Sequence, residues 1–312
     1  MESILFHCKE MSELAQAVAA KDLRIKLGII DWLRFPDEFP DLYVHKVRGI
    51  RRRNVAFLAS FESPDVIFEQ WSAMCMLPRT CAQSMTIILP YYVTGTMERV
   101  DDVGQVATAK TLARLMSAIP GGPEIVTYDI HALQEEFYFG DFVYPRVKSA
   151  MKYLKRILAT MDDVVIMFPD FGASKRFGRM FTEYQQAVCH KERGPGDVRK
   201  VTIVEGVQHV AGANVVIVDD IIKSGGTIIE GGNAALAAGA KSLFAWGTHG
   251  SCPKEAWKKF LGSQFQKVWI TDSCPLVAAA VKGQGPFEVI SLAESIAHVV
   301  VDEDDQESLI AP

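Results

Sequence analysis

Short apolar runs alternate with longer segments of helical periodicity, and this alternation constrains the fold more than any other feature of the chain. In the first half, "NVAFLAS" (54–60) precedes "PDVIFEQWSAMCML", and "MTIILPYY" (85–92) precedes "VATAKTLARLMSAI". "EIVTYDIH" (124–131) is a further strand candidate. Near-continuous apolar strands separated by helices are typical of parallel β-α-β units.

The same pattern repeats in the second half of the chain. "DVVIMFPD" (163–170) precedes a helical "SKRFGRMFTEY", and "QAVCHKE" reads as a strand. "NVVIVDD" (214–220) then precedes "TIIEGGNAALAAGA", and "KSLFAWGTHG" (241–250) precedes a helical "PKEAWKKFL". The sequence therefore predicts an α/β fold of two doubly wound parallel-sheet domains.

Two segments depart from this repeat. The prolines and the alternation of "RFPDEFPDLYVHKVRGIRRRN" (34–54) predict an antiparallel excursion. "YPRVKSAMKYLKRILATMDD" (144–163) predicts a basic amphipathic helix that follows Pro145 and links the halves. The predicted division is 1–148 for the N-terminal half, 149–301 for the C-terminal half, and 302–312 for an acidic tail.

Charge and hydropathy exclude several classes of partner. The net charge of −5 argues against bulk affinity for nucleic acid or for an anionic membrane. No apolar run reaches the roughly 20 residues of a spanning helix. The N-terminal "MESILFHCKEMSEL" carries acids where a secretory signal has a basic flank. We expect a cytoplasmic protein with no nucleic-acid or membrane partner.

Polar residues follow several of the predicted strands. Ligands of open parallel sheets bind outside the carboxyl ends of strands. Asp129 and His131 follow "EIVTY", Asp170 follows "DVVIMFP", and Asp219 and Asp220 end "NVVIVDD". Because these residues come from both halves, we expect a site in the cleft between them.

The stretch "VVIVDDIIKSGGTI" (215–228) carries the most specific signal. Backbone N–H groups of a small loop before a helix can form an anion nest, and here the loop residues are Lys223, Ser224, Gly225, Gly226 and Thr227. Glycines allow a phosphate to approach closely, because a Cβ would obstruct it. The preceding carboxylates suit hydroxyl groups or a cation, so a ligand with a phosphate at one end and a cis-diol at the other would fit both, and a ribose 5-phosphate group is such a ligand. The alternative is that Ser224 or Thr227 caps the helix and the aspartates are only solvated.

This stretch resembles the phosphoribosyl-diphosphate (PRPP) motif of type I phosphoribosyltransferases and of ribose-phosphate diphosphokinases, also called PRPP synthetases. Resemblance to the diphosphokinases extends over most of the chain. It includes "RFPDEFPDLYV", "NVAFLASFESPDVIFEQ", "ILPYYVTGTMERVDD", "YDIHALQEEFYFGD", "FPDFGASKRF" and "HKERGPG". "LASFESPDVIFEQ" and "TGTMER" look most like the plant-type class II branch.

The resemblance implies two domains of type I phosphoribosyltransferase topology, the first binding ATP and the second ribose 5-phosphate. It implies transfer of the β,γ-diphosphoryl group of ATP to the ribose C1 hydroxyl, with Mg²⁺ as cofactor. Asp219, Asp220 and the loop at 223–227 would hold ribose 5-phosphate. His131 and Asp170 would contact the metal and the triphosphate, and the catalytic Lys-x-Arg pair would be Lys191 and Arg193.

The resemblance also implies a homo-oligomer in which adenine binds across a subunit contact. Phe35, Asp37 and Glu38 match the family's adenine-binding hairpin, although "FPDEFP" lacks a Gly that common members carry before the acid. Arg99 lies in "VTGTMERVDD", where common class I members carry an Arg-Gln segment near the triphosphate and the regulatory anion site. We expect Arg99 to contact the triphosphate. We also expect the protein to be active without added phosphate and to be inhibited by ADP only competitively.

Two other functions remain open at this point. A non-catalytic relative that regulates active subunits would show damage in the catalytic loop or the PRPP motif, whereas Lys191, Arg193 and Gly226 are all present. A phosphoribosyltransferase acting on a base would need only the PRPP motif and would leave the first 140 residues unexplained. Formation of AMP from ATP and ribose 5-phosphate distinguishes these possibilities.

Overall fold

The apolar runs form the inner strands of two parallel sheets, one in each of two units of the chain. A computed structural model describes residues 2–193 and 199–303, without the side chains of 191–193 and 199–200. The units divide after Ser149, and the chain returns to the first unit at Ser291. The predicted acidic tail lies outside the described residues from position 304 onward.

The first unit is built on a sheet in the order β2-β1-β5-β6-β7-β8, in which neighbouring strands are parallel. Its strands are β1 (Ser3–His7), β2 (Ile25–Leu27), β5 (Asn54–Leu58), β6 (Ser84–Ile88), β7 (Glu124–Tyr128) and β8 (Tyr144–Lys148). The helices of this part of the chain are α1 (Ser12–Ala19), α2 (Pro64–Met76) and α3 (Thr108–Ser117). Pro64 is the first residue of α2, where its missing N–H would have no helical partner in any case.

The second unit has a sheet in the order β11-β10-β9-β12-β13-β14-β15. Its strands are β9 (Val164–Phe168), β10 (Gln185–Arg193), β11 (Arg199–Glu205), β12 (Asn214–Ile222), β13 (Ser242–Gly250), β14 (Phe265–Thr271) and β15 (Phe287–Ile290). Its helices are α4 (Met151–Leu158), α5 (Phe171–Phe177), α6 (Gly226–Ala237) and α7 (Pro275–Val281). β10 and β11 are antiparallel and the other pairs are parallel, so the prediction of two doubly wound parallel sheets is confirmed.

The predicted antiparallel excursion is a two-stranded hairpin. β3 (Ile30–Arg34) pairs with β4 (Pro40–Val44), with Ile30 opposite Val44 and Arg34 opposite Pro40. This register leaves residues 35–39 as the tip of the hairpin. 3-10 helices complete the description, at Lys9–Met11, Val47–Gly49, Leu77–Thr80, Gly95–Met97, Leu133–Tyr138, Gly178–Phe181, Val207–His209 and Pro253–Phe260.

The predicted linking helix begins later than expected. Residues Tyr144–Lys148 form β8, and α4 starts only at Met151. Pro145 cannot donate a backbone hydrogen bond, but β8 is the edge strand of its sheet and has a partner on one side alone. The prediction of helix directly after Pro145 is therefore wrong for the residues of β8.

The C-terminal helix, α8 (Ala293–Val300), packs with the first unit. It contacts α1, and Ile296 is fully buried. The Tyr128 hydroxyl donates a 2.9 Å hydrogen bond to Ser295 Oγ. The predicted division, with one boundary near residue 148, assigns this helix to the C-terminal half, whereas it belongs to the first unit. Sequence periodicity identifies a helix but does not show which sheet the helix covers. No helix among the described residues has both the length and the apolar character that crossing a bilayer requires.

Candidate active site

The carboxyl ends of β9 and β12 bring Asp170, Asp219 and Asp220 to one edge of the second sheet. These two strands are parallel neighbours, with Ile217 opposite Met167. From β9 the chain continues to β10 on one side, while β12 lies on the other side, so the strand order reverses here. Ligands of open α/β sheets bind at such a reversal.

The acidic side chains at this edge influence one another. Burial, then the neighbouring Asp220 and the more distant Asp170, raise the pKa of Asp219 well above its ordinary value. The Asp220 amide donates to Asp219 Oδ1 at 3.0 Å. Arg176 of α5, which the sequence analysis did not single out, places Nη1 3.8 Å from Asp220 Oδ2. A hydroxyl-bearing or cationic ligand suits this acceptor-rich edge.

Asp170 has an established local role. Its Oδ1 accepts a 2.9 Å hydrogen bond from the backbone N–H of Ala173 and thereby caps α5. This contact is the structural alternative to a metal-binding role, and it accounts for an aspartate at this position by itself. The predicted contact of Asp170 with metal remains a prediction.

The loop at 223–227 connects β12 to α6. Lys223 and Ser224 are exposed, and Gly225, with φ +71°, occupies the position that caps α6. The Gly226 N–H lies 3.4 Å from Ser224 Oγ. Gly225 therefore holds the capping position, while Ser224 Oγ accepts from the first N–H of α6 and Thr227 lies inside the helix, so the alternative of helix capping is met in part, by Ser224.

The two glycines of the loop have different surroundings. A Cβ on Gly225 would lie 2.6 Å from Cε2 of the buried Phe260, and its left-handed backbone also disfavours a side chain. A Cβ on Gly226 would meet only Ser224 Oγ, at 3.6 Å. Close packing therefore explains Gly225, and open approach of a ligand to Gly226 remains a prediction.

The segment before Phe260 is not the regular helix that "PKEAWKKFL" predicts. Lys254 and Glu255 have left-handed φ values of +54° and +57° inside the 3-10 stretch Pro253–Phe260. Beyond them, Lys259 donates a 3.0 Å hydrogen bond from Nζ to the carbonyl oxygen of Ser224. No local pattern marks Lys259 as a site residue, because it is far from the loop along the chain and lies in an ordinary amphipathic pattern.

The tip of the β3–β4 hairpin presents Phe35, Asp37 and Glu38 together. Phe35 is 50% exposed, so it is not a core residue, and its N–H donates to the Phe39 carbonyl at 2.9 Å. Glu38 has φ +67°, a conformation that favours glycine. Phe35 also lines an apolar cavity of about 610 Å³ with Tyr43 and other residues of this region.

His131 and Arg99 lie on neighbouring segments of the first unit. His131 is exposed after β7, and a Cβ on Gly95 would lie 3.4 Å from its Cβ. Tyr138 donates a hydrogen bond to the carbonyl of Glu98. Arg99 Nε lies 3.2 Å from Asp101 Oδ1, which offsets part of its charge. The predicted contacts of His131 and Arg99 with a triphosphate remain predictions.

The remaining predicted polar residues lie next to β7 or within β10. Asp129 is buried and accepts a 2.7 Å hydrogen bond from Ser149, which is a structural role. Lys191 and Arg193 belong to β10, opposite Val201 and Arg199. Their side chains, and residues 194–198 of the predicted catalytic loop, lie outside the described part of the chain.

Comparisons with known proteins agree with this geometry. The sequence model of the N-terminal domain of ribose phosphate pyrophosphokinase matches residues 3–119, and that of the phosphoribosyl transferase domain matches residues 152–249. The chloroplastic ribose-phosphate pyrophosphokinase 3 of Oryza sativa subsp. japonica is 48% identical over 94% of this chain and 75% of that protein. This chain belongs to the ribose-phosphate pyrophosphokinase family.

Further relatives place the chain within the ribose-phosphate pyrophosphokinases. Ribose-phosphate pyrophosphokinase 4 of Arabidopsis thaliana is 46% identical over 94% of this chain and 90% of that protein, against 27% for pyrophosphokinase 1 of Lactococcus lactis. The crystal structure of phosphoribosylpyrophosphate synthetase from Mycobacterium smegmatis superposes with a TM-score of 0.83 at 23% identity, covering 96% of this chain and 98% of that one. The predicted family, its plant-type character and the fold class are confirmed.

Proposed function

We propose that this chain is a ribose-phosphate diphosphokinase, which transfers the β,γ-diphosphoryl group of ATP to the C1 hydroxyl of ribose 5-phosphate and gives PRPP and AMP. The observation that carries the proposal is the carboxyl end of β12. There, two carboxylates and a loop that opens α6 lie within one short stretch of chain. This stretch offers acceptors for ribose hydroxyls next to donors for a phosphate.

The loop and the aspartates bind different parts of the sugar phosphate. N–H groups of residues 223–227 and the N-terminal end of α6 favour the 5-phosphate, since both present positive partial charge. Asp219 and Asp220 accept hydrogen bonds from ribose hydroxyls and orient C1. Burial and the neighbouring Asp220 carboxylate raise the pKa of Asp219, and the negative charge of Asp220 also disfavours a phosphate beside this pair.

In the reaction, the C1 oxygen forms a bond to the β-phosphorus, and the bond from that phosphorus to the α-phosphate oxygen breaks to release AMP. Negative charge on the transferred group is spread over its oxygens, so positioning and electrostatic stabilisation are the main means of catalysis. Lys191 and Arg193 supply positive charge in this proposal. Arg99 and His131 contact the triphosphate.

The residues present suit Mg²⁺ as the cofactor. Among the described residues, no three His, Cys, Asp or Glu side chains converge as a protein cage for a metal. Mg²⁺ commonly uses one or two carboxylates together with substrate phosphates and water, so a cage is not required. Asp170 and His131 are the proposed protein contacts, and bound Mg²⁺ would offset charge on the phosphate oxygens.

The hairpin supports a shared adenine site in a homo-oligomer. Its apolar side chains Leu33, Phe35, Phe39 and Tyr43 are each at least half exposed, and Phe68 of α2 extends this surface. Contiguous exposed apolar residues mark interaction surfaces. Phe35 would stack on adenine at a contact between subunits, with Asp37 and Glu38 as polar neighbours.

The test is product analysis with ATP, ribose 5-phosphate and Mg²⁺. We expect AMP and PRPP in equal amounts, and loss of both with excess chelator. Conversion of PRPP and a base to a nucleotide, without AMP formation from ATP, would instead identify a phosphoribosyltransferase. Stimulation of an active subunit by an inactive chain would identify a regulatory subunit.

The cellular compartment is a separate proposal. We propose a cytoplasmic location as the alternative to the compartments for which curated relatives are named, chloroplastic in rice and mitochondrial in spinach. Imaging of the full-length protein with a C-terminal tag in its native cells, together with fractionation, decides between these compartments.

A further inference from the structure

The segment 252–260 packs against the loop at 223–227. The Cys252 N–H donates to the Ile222 carbonyl at 3.2 Å, which fixes one end of the segment to β12. At the other end, the ring of Phe260 fills the space beside Gly225. Lys259, which precedes this anchored ring, donates from Nζ to the Ser224 carbonyl at 3.0 Å.

This hydrogen bond fixes the orientation of one peptide group of the loop. In a trans peptide the C=O and the following N–H point in opposite directions. Because Lys259 holds the Ser224 carbonyl on its side, the Gly225 N–H is directed to the opposite side. The ammonium group has three donors, so contact with one carbonyl leaves it able to make further hydrogen bonds.

We propose that Lys259 is a positioning residue of the 5-phosphate subsite and a determinant of selectivity for phosphorylated ribose. It orients the Ser224–Gly225 peptide for anion binding and contributes a positive charge next to the loop. This inference rests on the proposed function, since it takes ribose 5-phosphate as the ligand of the loop. It goes beyond that function by assigning part of the phosphate recognition to a residue remote from the PRPP motif.

The adjacent Lys258 provides a matched control. Its Nζ pairs with Glu255 Oε2 at 2.8 Å and lies 5.6 Å from the centroid of the Trp257 ring, within the range of a cation–π contact. Both lysines are exposed and carry the same charge. Lys258→Gln and Lys259→Gln therefore change net charge equally, but only the second removes the contact with the loop.

Calorimetric titration with ribose 5-phosphate, in the absence of ATP, measures the role of Lys259 directly. We expect Lys259→Gln to weaken binding roughly tenfold, as loss of a charge-assisted hydrogen bond implies. Lys258→Gln should bind as the wild type does, and Lys259→Arg should recover most of the affinity. In turnover, Lys259→Gln should raise KM for ribose 5-phosphate while kcat and Tm stay close to wild type.

Salt and unphosphorylated ribose give a second readout. The affinity gap between wild type and Lys259→Gln should narrow as ionic strength rises, because exposed charges are screened. Binding of ribose itself should be equally weak in both proteins. Equal affinity of Lys259→Gln and Lys258→Gln for ribose 5-phosphate would overturn the inference, and so would a loss of Tm with an unchanged KM.

The binding experiment separates this inference from the proposed function. If the wild type forms no AMP but binds ribose 5-phosphate in a Lys259-dependent way, the proposed reaction fails and the inference stands. If the wild type forms AMP and PRPP and Lys259→Gln binds normally, the reaction stands and the inference fails.

Discussion

Substitution of the two loop glycines by alanine should give opposite effects on stability. Gly225→Ala places a methyl group 2.6 Å from Phe260 Cε2 and 3.1 Å from its Cζ, at a residue with φ +71°. A left-handed alanine costs about 1–2 kcal/mol, and overpacking a filled core costs about 1–3 kcal/mol more. Phe260 is fully buried and cannot turn toward solvent.

A loss of about 3 kcal/mol corresponds to a decrease in Tm of roughly 6–12 °C for a unit of this size. Gly226→Ala is the matched control, because its methyl group meets only Ser224 Oγ at 3.6 Å and its φ is ordinary. Alanine is favoured over glycine in helices by up to about 1 kcal/mol. We therefore expect the Tm of Gly226→Ala to equal or exceed that of wild type.

Differential scanning calorimetry and ribose 5-phosphate titration together decide the matter. Gly226→Ala should keep its Tm but bind ribose 5-phosphate at least about tenfold more weakly, since a methyl group obstructs the approach of the phosphate. Adding Phe260→Leu to Gly225→Ala should recover part of the lost Tm through the coupling of the two sites. Equal Tm values for Gly225→Ala and Gly226→Ala would refute the assignment of Gly225 to packing.

Four further outcomes are expected. Lys191→Ala should lower kcat by at least roughly a hundredfold with little change in ribose 5-phosphate binding, measured by steady-state kinetics and titration. The pKa of Asp219 is raised in the folded state, so this group lowers the stability of the folded chain as the pH rises above about 4, the ordinary pKa of an unfolded aspartate. Asp219→Asn should therefore raise Tm at pH 7. The gain in Tm, measured by calorimetry, should shrink toward pH 4. Phe35→Ala should raise KM for ATP without lowering Tm, whereas a large loss of Tm with unchanged KM would contradict its exposed position. Activity should persist after exhaustive removal of inorganic phosphate with only competitive inhibition by ADP, and near-zero activity restored by phosphate would contradict this expectation.

Much of the fold could be predicted from the sequence because its strands are apolar on both faces. Val215–Val218 of β12 are fully buried, and such runs are difficult to place anywhere but in the interior of a sheet covered by helices. The position of Asp219 and Asp220 at a strand end followed directly from that run. Pro145 does not reveal strand β8, because a proline disfavours the interior of a helix and of a central strand but is compatible with an edge strand. Whether a strand lies at the edge depends on the order of the whole sheet.

The remaining site residues depended on contacts that local patterns do not contain. Arg176 reaches Asp220, and Lys259 reaches Ser224, across long sequence separations. The left-handed residues Lys254 and Glu255 interrupt a sequence pattern that is otherwise helical. Neither lysine nor glutamate favours the left-handed conformation, so the sequence does not indicate it. Phe35 shows the converse case, since an aromatic residue predicts burial by composition but lies half exposed at the hairpin tip.

The return of the chain to the first unit at Ser291 has a consequence for biosynthesis. The ribosome completes β1 to β8 and then makes residues 150–290, which at about 5–20 residues per second takes on the order of ten seconds. Only after that interval can α8 cover its surface of α1 and Ser295 accept the hydrogen bond from Tyr128. The second unit is one continuous insertion and can form as soon as it emerges. The unit that is begun first is therefore finished last, because α8 is made only after the whole of the second unit.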